Sequence, residues 1–194
     1  RKLRRCVDRL GTILPFEAAT GRARPGCGLF RFRKRGEVAG IAETIAIRVT
    51  DVGDIAAIDA LLARSYPALL RDDYPPSVVV TAVPLIARAR PELMTCSTYY
   101  VPEDIAGWAL AAGGWTRGRR PERANIRHVV TDPAHVRRGS RRALLTHVFE
   151  MAAQQGVRAF DCMATRTSVP FYRALGFVEV EQVEDVVGDV DVAG

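Results

Sequence analysis

The sequence VVTDPAHVRRGSRRALL, residues 129–145, passes from an apolar strand pattern to an amphipathic helix pattern through a short turn of arginine and glycine. The N–H groups in the first turn of a helix have no partner inside the helix and lie at the positive end of its dipole. Such a turn can bind phosphate, and neighbouring arginines add charge-assisted hydrogen bonds. The stretch is neither a Walker loop nor a dinucleotide-binding fingerprint. Alone, it fits a phosphate-binding turn and an ordinary strand-to-helix connection equally well.

A second informative stretch is SVPFYRALGF, residues 168–177, near the C-terminal end of the sequence. It predicts a short helix that ends at Gly176, because glycine readily takes up the left-handed conformation that stops a helix. On its own, this stretch predicts only a core helix that carries an aromatic pair, Phe171 and Tyr172.

Together, in this order and about 30 residues apart, the two stretches resemble the GNAT superfamily of N-acetyltransferases. Members of that superfamily carry a pyrophosphate-binding turn after their fourth strand and an F-Y-x-x-x-G-F element near the C-terminus. The resemblance covers about residues 45–187 and includes Gly113-Gly114-Trp115 on the preceding strand. The sequence VPFY, residues 169–172, also looks like the matching element of arylalkylamine N-acetyltransferases.

The resemblance implies the acyl-CoA N-acyltransferase fold, with acetyl-CoA as co-substrate in a V-shaped gap of the sheet. The main chain of Val129, Val130 and Thr131 would pair with the pantetheine amides. The turn would hold the pyrophosphate through the amides of Arg137, Arg138, Gly139, Ser140, Arg141 and Arg142. Tyr172 would be the general acid that protonates the departing thiolate, because the ordinary pKa of a phenol, about 10, keeps it protonated at neutral pH. The acetyl group would pass directly to the amine, without an acyl-enzyme.

Several positions depart from the superfamily pattern. Arg141 stands where relatives have glycine or alanine, so its bulk is expected to hinder the pyrophosphate, and Arg141→Gly to tighten acetyl-CoA binding. Thr165 stands where many members of the superfamily have an asparagine near the cofactor. The positions that match the usual base are Asn125 and Arg127, and neither is a good proton acceptor. His128 is adjacent, but strand alternation points it to the opposite face unless a bulge resets the parity. We therefore expect a water chain to take the proton from the amine, with His128 as the alternative base.

The hydrophobic pattern predicts an α/β domain. It indicates a strand over residues 45–49, a helix that starts after Asp51 or Asp54, and a second helix between Ser77 and Pro91. Strands over 95–101 and 105–115 form a predicted hairpin that turns at residues 102–104. A strand over 124–131, a helix over 140–155, a strand over 157–163, a helix over 168–175 and a strand over 177–183 follow. This order predicts a mixed, largely antiparallel, splayed sheet flanked by helices.

Charge divides the chain near residue 44. Residues 1–44 hold 11 of the 28 Lys and Arg residues and 4 of the 22 Asp and Glu residues, so this segment is basic and the remainder is close to neutral. Its poor hydrophobic periodicity predicts an irregular N-terminal arm over 1–44, and about the first 40 residues are expected to be dispensable for folding. An N-acetyltransferase domain is expected over 45–187 and a frayed tail over 188–194. An arginine-rich, acid-poor start also resembles an organellar targeting peptide.

Composition narrows the range of partners. The basic arm could bind nucleic acid, but it carries no RNP, zinc-finger or basic-zipper signature, so a solvated tail is expected instead. No apolar run approaches the roughly 20 residues that cross a bilayer, so no membrane partner is expected. The four cysteines and three histidines lack metal-ligand spacing. This spacing predicts neither a metal site nor a disulfide framework, and it favours a cytoplasmic location for the protein. The sequence leaves open whether the protein forms a homodimer.

The acceptor amine, of a small molecule or a peptide, cannot be read from these motifs. In this fold, the first two helices and neighbouring loops line the acceptor pocket. The candidates there are Tyr66, Asp72, Asp73, Tyr74, Tyr99, Tyr100 and Trp115. Asp72 and Asp73 could attract a cationic amine or form a solvated turn. The alternative function is a degenerate acyl-CoA-binding or interaction module with little or no catalysis, which Arg141 favours.

Overall fold

The structure is a computed structural model that describes residues 27–33 and 45–183. Its strands are β1 (Cys27–Arg33), β2 (Ala46–Val49), β3 (Tyr99–Glu103), β4 (Ala111–Arg117), β5 (Arg123–Thr131), β6 (Ala159–Ala164) and β7 (Val178–Val183). Its helices are α1 (Ile55–Leu70), α2 (Pro76–Ile86), α3 (Pro91–Met94), α4 (Ser140–Gln154) and α5 (Val169–Ala174). Within these residues the strands form one sheet with the order β2-β3-β4-β5-β6-β1-β7.

The sheet is antiparallel except between β5 and β6, which run parallel. These two strands pair only where Arg123–Asn125 lies beside Ala159–Asp161. Beyond that point β5 continues to Thr131 and β6 to Ala164, but the two strands no longer pair with each other, so the sheet opens between them. The predicted fold, a mixed and largely antiparallel splayed sheet flanked by helices, is confirmed.

Apolar clusters lie on both faces of the sheet. One cluster joins β4, β5 and β6 to α4 and includes the fully buried Trp115 and Leu144. The other joins β3, β4 and β5 to α1 and includes the fully buried Ile58 and Leu61. Burial of each Leu or Ile side chain contributes roughly 1.5–3 kcal/mol, so the helices on both faces are held firmly while the gap between β5 and β6 stays open.

A β-bulge interrupts β5 next to the opening. Ala112 of β4 pairs with Val130, whereas Gly114 pairs with Arg127, so two residues of β5 lie opposite Gly113 alone. The first of them, His128, has a φ of 44°. A Cβ on Gly113 would come within 2.9 Å of the Val129 side chain, so the bulge needs glycine there. The bulge resets the alternation of β5 just before the residues that border the gap.

One strand was not predicted. Cys27–Arg33 pairs with both β6 and β7, although it lies in the range assigned to an irregular arm, so that prediction is wrong for these residues. Its partners stand far away in the sequence, where local periodicity cannot reveal them. Residues 1–26, 34–44 and 184–194 lie outside the described residues. The rest of the arm, the tail over 188–194 and the domain boundaries therefore stay predictions.

The β3–β4 hairpin also differs from its prediction. Pro102 and Glu103 belong to β3, and the turn is made by residues 104–110, where the Asp104 carboxylate accepts hydrogen bonds from the N–H groups of Ala106 and Trp108. The short helix α3 was not predicted. Within the described residues, no helix combines the length and the apolar character that a bilayer crossing requires.

Candidate active site

A cavity of about 970 Å³ occupies the opening between β5 and β6. Residues of α1 and α2 line one side of it, and residues of α4 and α5 line the other. Its size lies at the upper end of the range for ligand pockets, roughly 300–1,000 Å³. Beyond Asn125, the edge of β5 that borders the cavity has no strand partner within the described residues. Its N–H and C=O groups are therefore available to a ligand that lies along the strand.

The connection from β5 to α4 is held at its start by Asp132. Its carboxylate accepts a hydrogen bond from the N–H of Ala134 at 2.8 Å and caps a single 3₁₀ turn, Pro133–His135. The same carboxylate accepts one from Arg64 Nε of α1 at 2.7 Å, and these contacts hold the pKa of Asp132 below its ordinary value although burial opposes them. The turn is thus anchored to a helix on the far side of the cavity.

The turn itself contains two residues in the left-handed region. The φ of Arg137 is 65° and that of Gly139, the N-cap of α4, is 89°. No side chain caps the first turn of α4. Its amides therefore point out of the helix without a capping oxygen, as anion-binding turns require.

Tyr172 lies on α5 and is buried, with an exposure of 2%. Its ring packs edge-to-face against Phe171 and Phe177, with centroids 5.4 and 5.2 Å apart. Its hydroxyl donates a hydrogen bond to the thiol of Cys162 and accepts one from the Arg141 guanidinium. Burial raises the pKa of Tyr172 well above its ordinary value, Cys162 raises it further, and Arg141 lowers it. Tyr172 is therefore protonated throughout the neutral range.

The long side chain of Arg141 turns from α4 towards α5. Its Nη2 donates a hydrogen bond to Ser168 Oγ at 3.1 Å, and its guanidinium carbon lies 4.0 Å from the centre of the Phe171 ring. Thr165 Oγ1 donates to the same Ser168 oxygen at 3.1 Å. The expected hindrance of the pyrophosphate by Arg141 stays a prediction.

Residues 96–189 match the family model described as the acetyltransferase (GNAT) domain. Over these residues, the sequence is that of a GNAT acetyltransferase domain. No curated protein sequence matches the chain.

Solved structures share the fold of this GNAT domain at low sequence identity. A GCN5-related N-acetyltransferase from Rhodopseudomonas palustris is 16% identical, with a TM-score of 0.62 over 74% of this chain and 88% of that protein. The PaiA N-acetyltransferase from Thermoplasma acidophilum, in complex with coenzyme A, is 11% identical, with a TM-score of 0.57 over 69% of this chain and 88% of that one. A GNAT-family acetyltransferase from Novosphingobium aromaticivorans is 17% identical, with a TM-score of 0.56 over 81% of this chain. The chain spans only 62% of that last protein.

The cavity brings together nearly all of the predicted site residues. Those that line it are Val129, Val130, Thr131, Arg137, Gly139, Ser140, Arg141, Arg142 and Tyr172. Arg138 is exposed on the turn and does not line the cavity. The positions that match the usual base, Asn125 and Arg127, line it together with His128.

The acceptor-side candidates separate into two groups. Tyr66, Asp72, Asp73 and Tyr74 line the cavity, as expected. Tyr99, Tyr100 and Trp115 were expected there too, but they are buried in the two apolar clusters and do not line it. They were misassigned because aromatic residues on central strands pack under the helices of the sheet.

His128 occupies the bulge of β5, and its carbonyl accepts a hydrogen bond from Tyr99 Oη at 2.9 Å. Burial, together with the charges of Arg90 and Arg127, lowers the pKa of His128 to about 4. Its imidazole is therefore neutral at pH 7 and a weak base.

Buried polar atoms without partners are concentrated in residues that line the cavity, and sequence reasoning missed two of these residues, Ser65 and Thr167. Of the seven buried polar side-chain atoms without a hydrogen-bond partner in the described part of the chain, five belong to residues that line the cavity. They are Ser65 Oγ, Thr131 Oγ1, Ser140 Oγ, Arg141 Nε and Thr167 Oγ1. Buried polar atoms normally have hydrogen-bond partners, so their concentration around this cavity is typical of a site that binds a polar ligand. Single serines and threonines give no signal in the sequence.

Proposed function

We propose that this protein transfers the acetyl group of acetyl-CoA directly to a primary amine of a small molecule or a peptide. The observation that carries the proposal is the cavity at the splayed edge of β5, which ends at the uncapped first turn of α4. An unpaired strand edge and an anion-binding turn, joined by one cavity, match the two polar parts of coenzyme A.

The donor site follows from this match. The main chain of Val129, Val130 and Thr131 pairs with the pantetheine amides as a neighbouring strand would. The amides of the turn and of the first turn of α4, from Arg137 to Arg142, hold the pyrophosphate. The coenzyme A complex of the PaiA neighbour supports the choice of donor, as do the unpartnered hydroxyls of Thr131 and Ser140.

In the reaction, the amine nitrogen attacks the thioester carbonyl carbon, and a tetrahedral intermediate forms. The C–N bond is then complete, the C–S bond breaks and its electron pair goes to sulfur. Tyr172 gives its hydroxyl proton to that sulfur, so CoA leaves as a thiol. The nitrogen, positively charged after the attack, releases one proton to water, and water returns one proton to the phenolate, so the amide and the free thiol are the products. A general acid of this kind accelerates a reaction by roughly 10²–10⁴. The burial of Tyr172 supports the role because it keeps the phenol protonated until the thiolate forms.

The amine must arrive without its extra proton, and water is the acceptor that fits best. A histidine with a pKa near 4 holds a proton too weakly to take one from an ammonium group. Asn125 and Arg127 supply no base either. His128 instead offers a neutral imidazole to the cavity wall.

The acceptor enters from the side of α1 and α2. There the wall combines apolar residues such as Leu70 and Val83 with Tyr66, and Asp72 and Asp73 stand at its rim. The Asp72 side chain is 86% exposed and lies 3.5 Å from Arg71. Such an exposed carboxylate can attract a cationic amine but does not fix its position.

Release of free thiol from acetyl-CoA tests the function. The assay uses 2-phenylethylamine, spermidine, L-lysine and a glycyl peptide as acceptors. We expect turnover with at least one, and a fall in kcat of roughly 10²–10⁴ in Tyr172→Phe with the fold retained. Full kcat in that variant would remove Tyr172 from the mechanism. Saturable acetyl-CoA binding without thiol release from any acceptor would support the degenerate binding module instead.

A further inference from the structure

Arg141 bridges the two helices that flank the donor side of the cavity. Its backbone lies in the first turn of α4, whereas its guanidinium lies over α5, 4.0 Å from the Phe171 ring centre and 5.3 Å from the Tyr172 ring centre. Its Nη2 donates a hydrogen bond to Ser168 Oγ, just before α5 begins. Guanidinium groups stack readily on aromatic rings, so these contacts fix the cation beside Tyr172.

Within the part of the chain that the structure describes, this cation has no counter-ion. Among the described residues no carboxylate lies within ion-pair distance of Arg141, and its Nε is buried without a hydrogen-bond partner. A cation in a partly buried place is costly unless something compensates it. The stacked rings compensate in part, and a negative charge that forms during the reaction would compensate more fully.

Among the residues that the structure describes, two titratable groups, Cys162 and Arg141, form hydrogen bonds with the Tyr172 hydroxyl. Cys162 of β6 is buried, and burial raises the pKa of its thiol to about 12, so it is uncharged at neutral pH. Arg141 of α4 is the other. The next charge along β6 is Asp161, which Arg123 neutralises at 2.5 Å. Arg141 is therefore the net positive charge that the hydroxyl meets.

We propose that Arg141 is a positioning residue for Tyr172, which holds the hydroxyl in place and stabilises the phenolate left after Tyr172 gives its proton to the departing sulfur. The proposal rests on the proposed function. It gives the guanidinium a role at the reacting end of acetyl-CoA, whereas the backbone amide of Arg141 stays with the pyrophosphate.

Steady-state kinetics with the best acceptor of the amine panel test this role. Arg141→Met keeps the length of the side chain and removes its charge, and we expect kcat to fall about tenfold or more while the KM for acetyl-CoA changes little. Arg141→Lys keeps the charge and is expected to recover most of the rate. The matched control is Arg173→Met, because Arg173 follows Tyr172 directly but contacts Glu179 at 2.6 Å. Its kcat should equal that of the unchanged protein.

A double-mutant cycle separates this proposal from the function on which it rests. In a Tyr172→Phe background, Arg141→Met should have almost no further effect, because the group on which Arg141 acts is gone. Equal effects in both backgrounds would overturn the proposal but leave the acetyltransferase function intact. A raised KM with unchanged kcat would overturn it too, and would identify Arg141 as a phosphate ligand.

A measurement that needs no turnover completes the test. The chain contains five tyrosines, so with ¹³Cζ-labelled tyrosine the signal of Tyr172 is identified by its loss in Tyr172→Phe. Arg141→Met should move this signal and Arg173→Met should leave it in place. An unmoved signal in Arg141→Met would show that the guanidinium does not contact the hydroxyl, whatever the enzyme does.

Discussion

His128 combines a left-handed backbone conformation with a strongly lowered pKa. Its φ of 44° is rare for a residue with a Cβ and costs roughly 1–3 kcal/mol, which the hydrogen bond from Tyr99 Oη and the bulge opposite Gly113 help to offset. From the sequence, strand alternation predicted the opposite face unless a bulge intervened. The bulge could not be predicted, since it depends on how β4 and β5 align.

The buried imidazole predicts a pH dependence of stability. The pKa of His128 is about 4 in the folded protein and about 6.5 in the unfolded chain. The unfolded chain therefore binds more protons between these values, and the stability that neutral His128 provides above pH 6.5 is lost as the pH falls towards 4. We expect this loss to be about 2 kcal/mol.

Urea unfolding between pH 7 and 4.5 measures this loss. His128→Asn should show a smaller decline than the unchanged protein, because asparagine tolerates the left-handed region and does not titrate. The pKa of His147 is also lowered, chiefly by burial, but His147 is present in both proteins and cancels in the comparison. Parallel declines in the two proteins would contradict the assignment.

At the scale of elements, α4 and its preceding turn were predicted closely, because a strand, a glycine turn and an amphipathic helix follow each other in the sequence. The predicted start at Ser140 is correct, and the predicted end at Gln155 differs by one residue. The link from Asp132 to Arg64 was not predicted, since it joins the turn to a helix 68 positions away. The local sequence pattern thus predicted the turn but not the long-range hydrogen bond that anchors it.

Gly139 offers a test of that turn. Its φ is 89° and a Cβ there would meet nothing within 4 Å, so Gly139→Ala costs only conformational strain, about 1 kcal/mol. Gly156, just after the other end of α4, has a φ of 82° and equally open surroundings. Both alanine variants should lose similar stability in thermal unfolding. Only Gly139→Ala should bind acetyl-CoA more weakly by calorimetry, and equal affinities would show that the turn does not hold the pyrophosphate.

At the scale of the whole molecule, β1 shows where prediction from sequence ends. From β2 onward the order of the strands and longer helices is as predicted, yet the strand at Cys27–Arg33 lies between β6 and β7 and pairs with both. The sequence around this strand is basic and rich in glycine, which led to the prediction of an irregular arm. The strand itself alternates arginine with phenylalanine, a pattern that was given too little weight. The site was predicted better than the arm because its motifs are continuous in the sequence.

Deletion tests whether β1 supports the fold. Removal of residues 1–33 leaves β6 and β7 without the strand that joins them, so we expect a clearly lower unfolding temperature. Removal of residues 1–26 leaves β1 in place and serves as the matched control, with the transition retained. If both deletions unfold at the same temperature as the full chain, the arm is dispensable, as its composition alone had indicated.

The central claim is that the cavity between β5 and β6 holds acetyl-CoA, and a calorimetric titration of the full chain with acetyl-CoA tests it most directly. We expect one molecule to bind per chain with a Kd between about 1 μM and 1 mM, the range in which enzymes commonly meet their substrates. Free CoA should compete for the same site. No heat of binding up to millimolar acetyl-CoA, together with an unchanged unfolding temperature at that concentration, would contradict the claim.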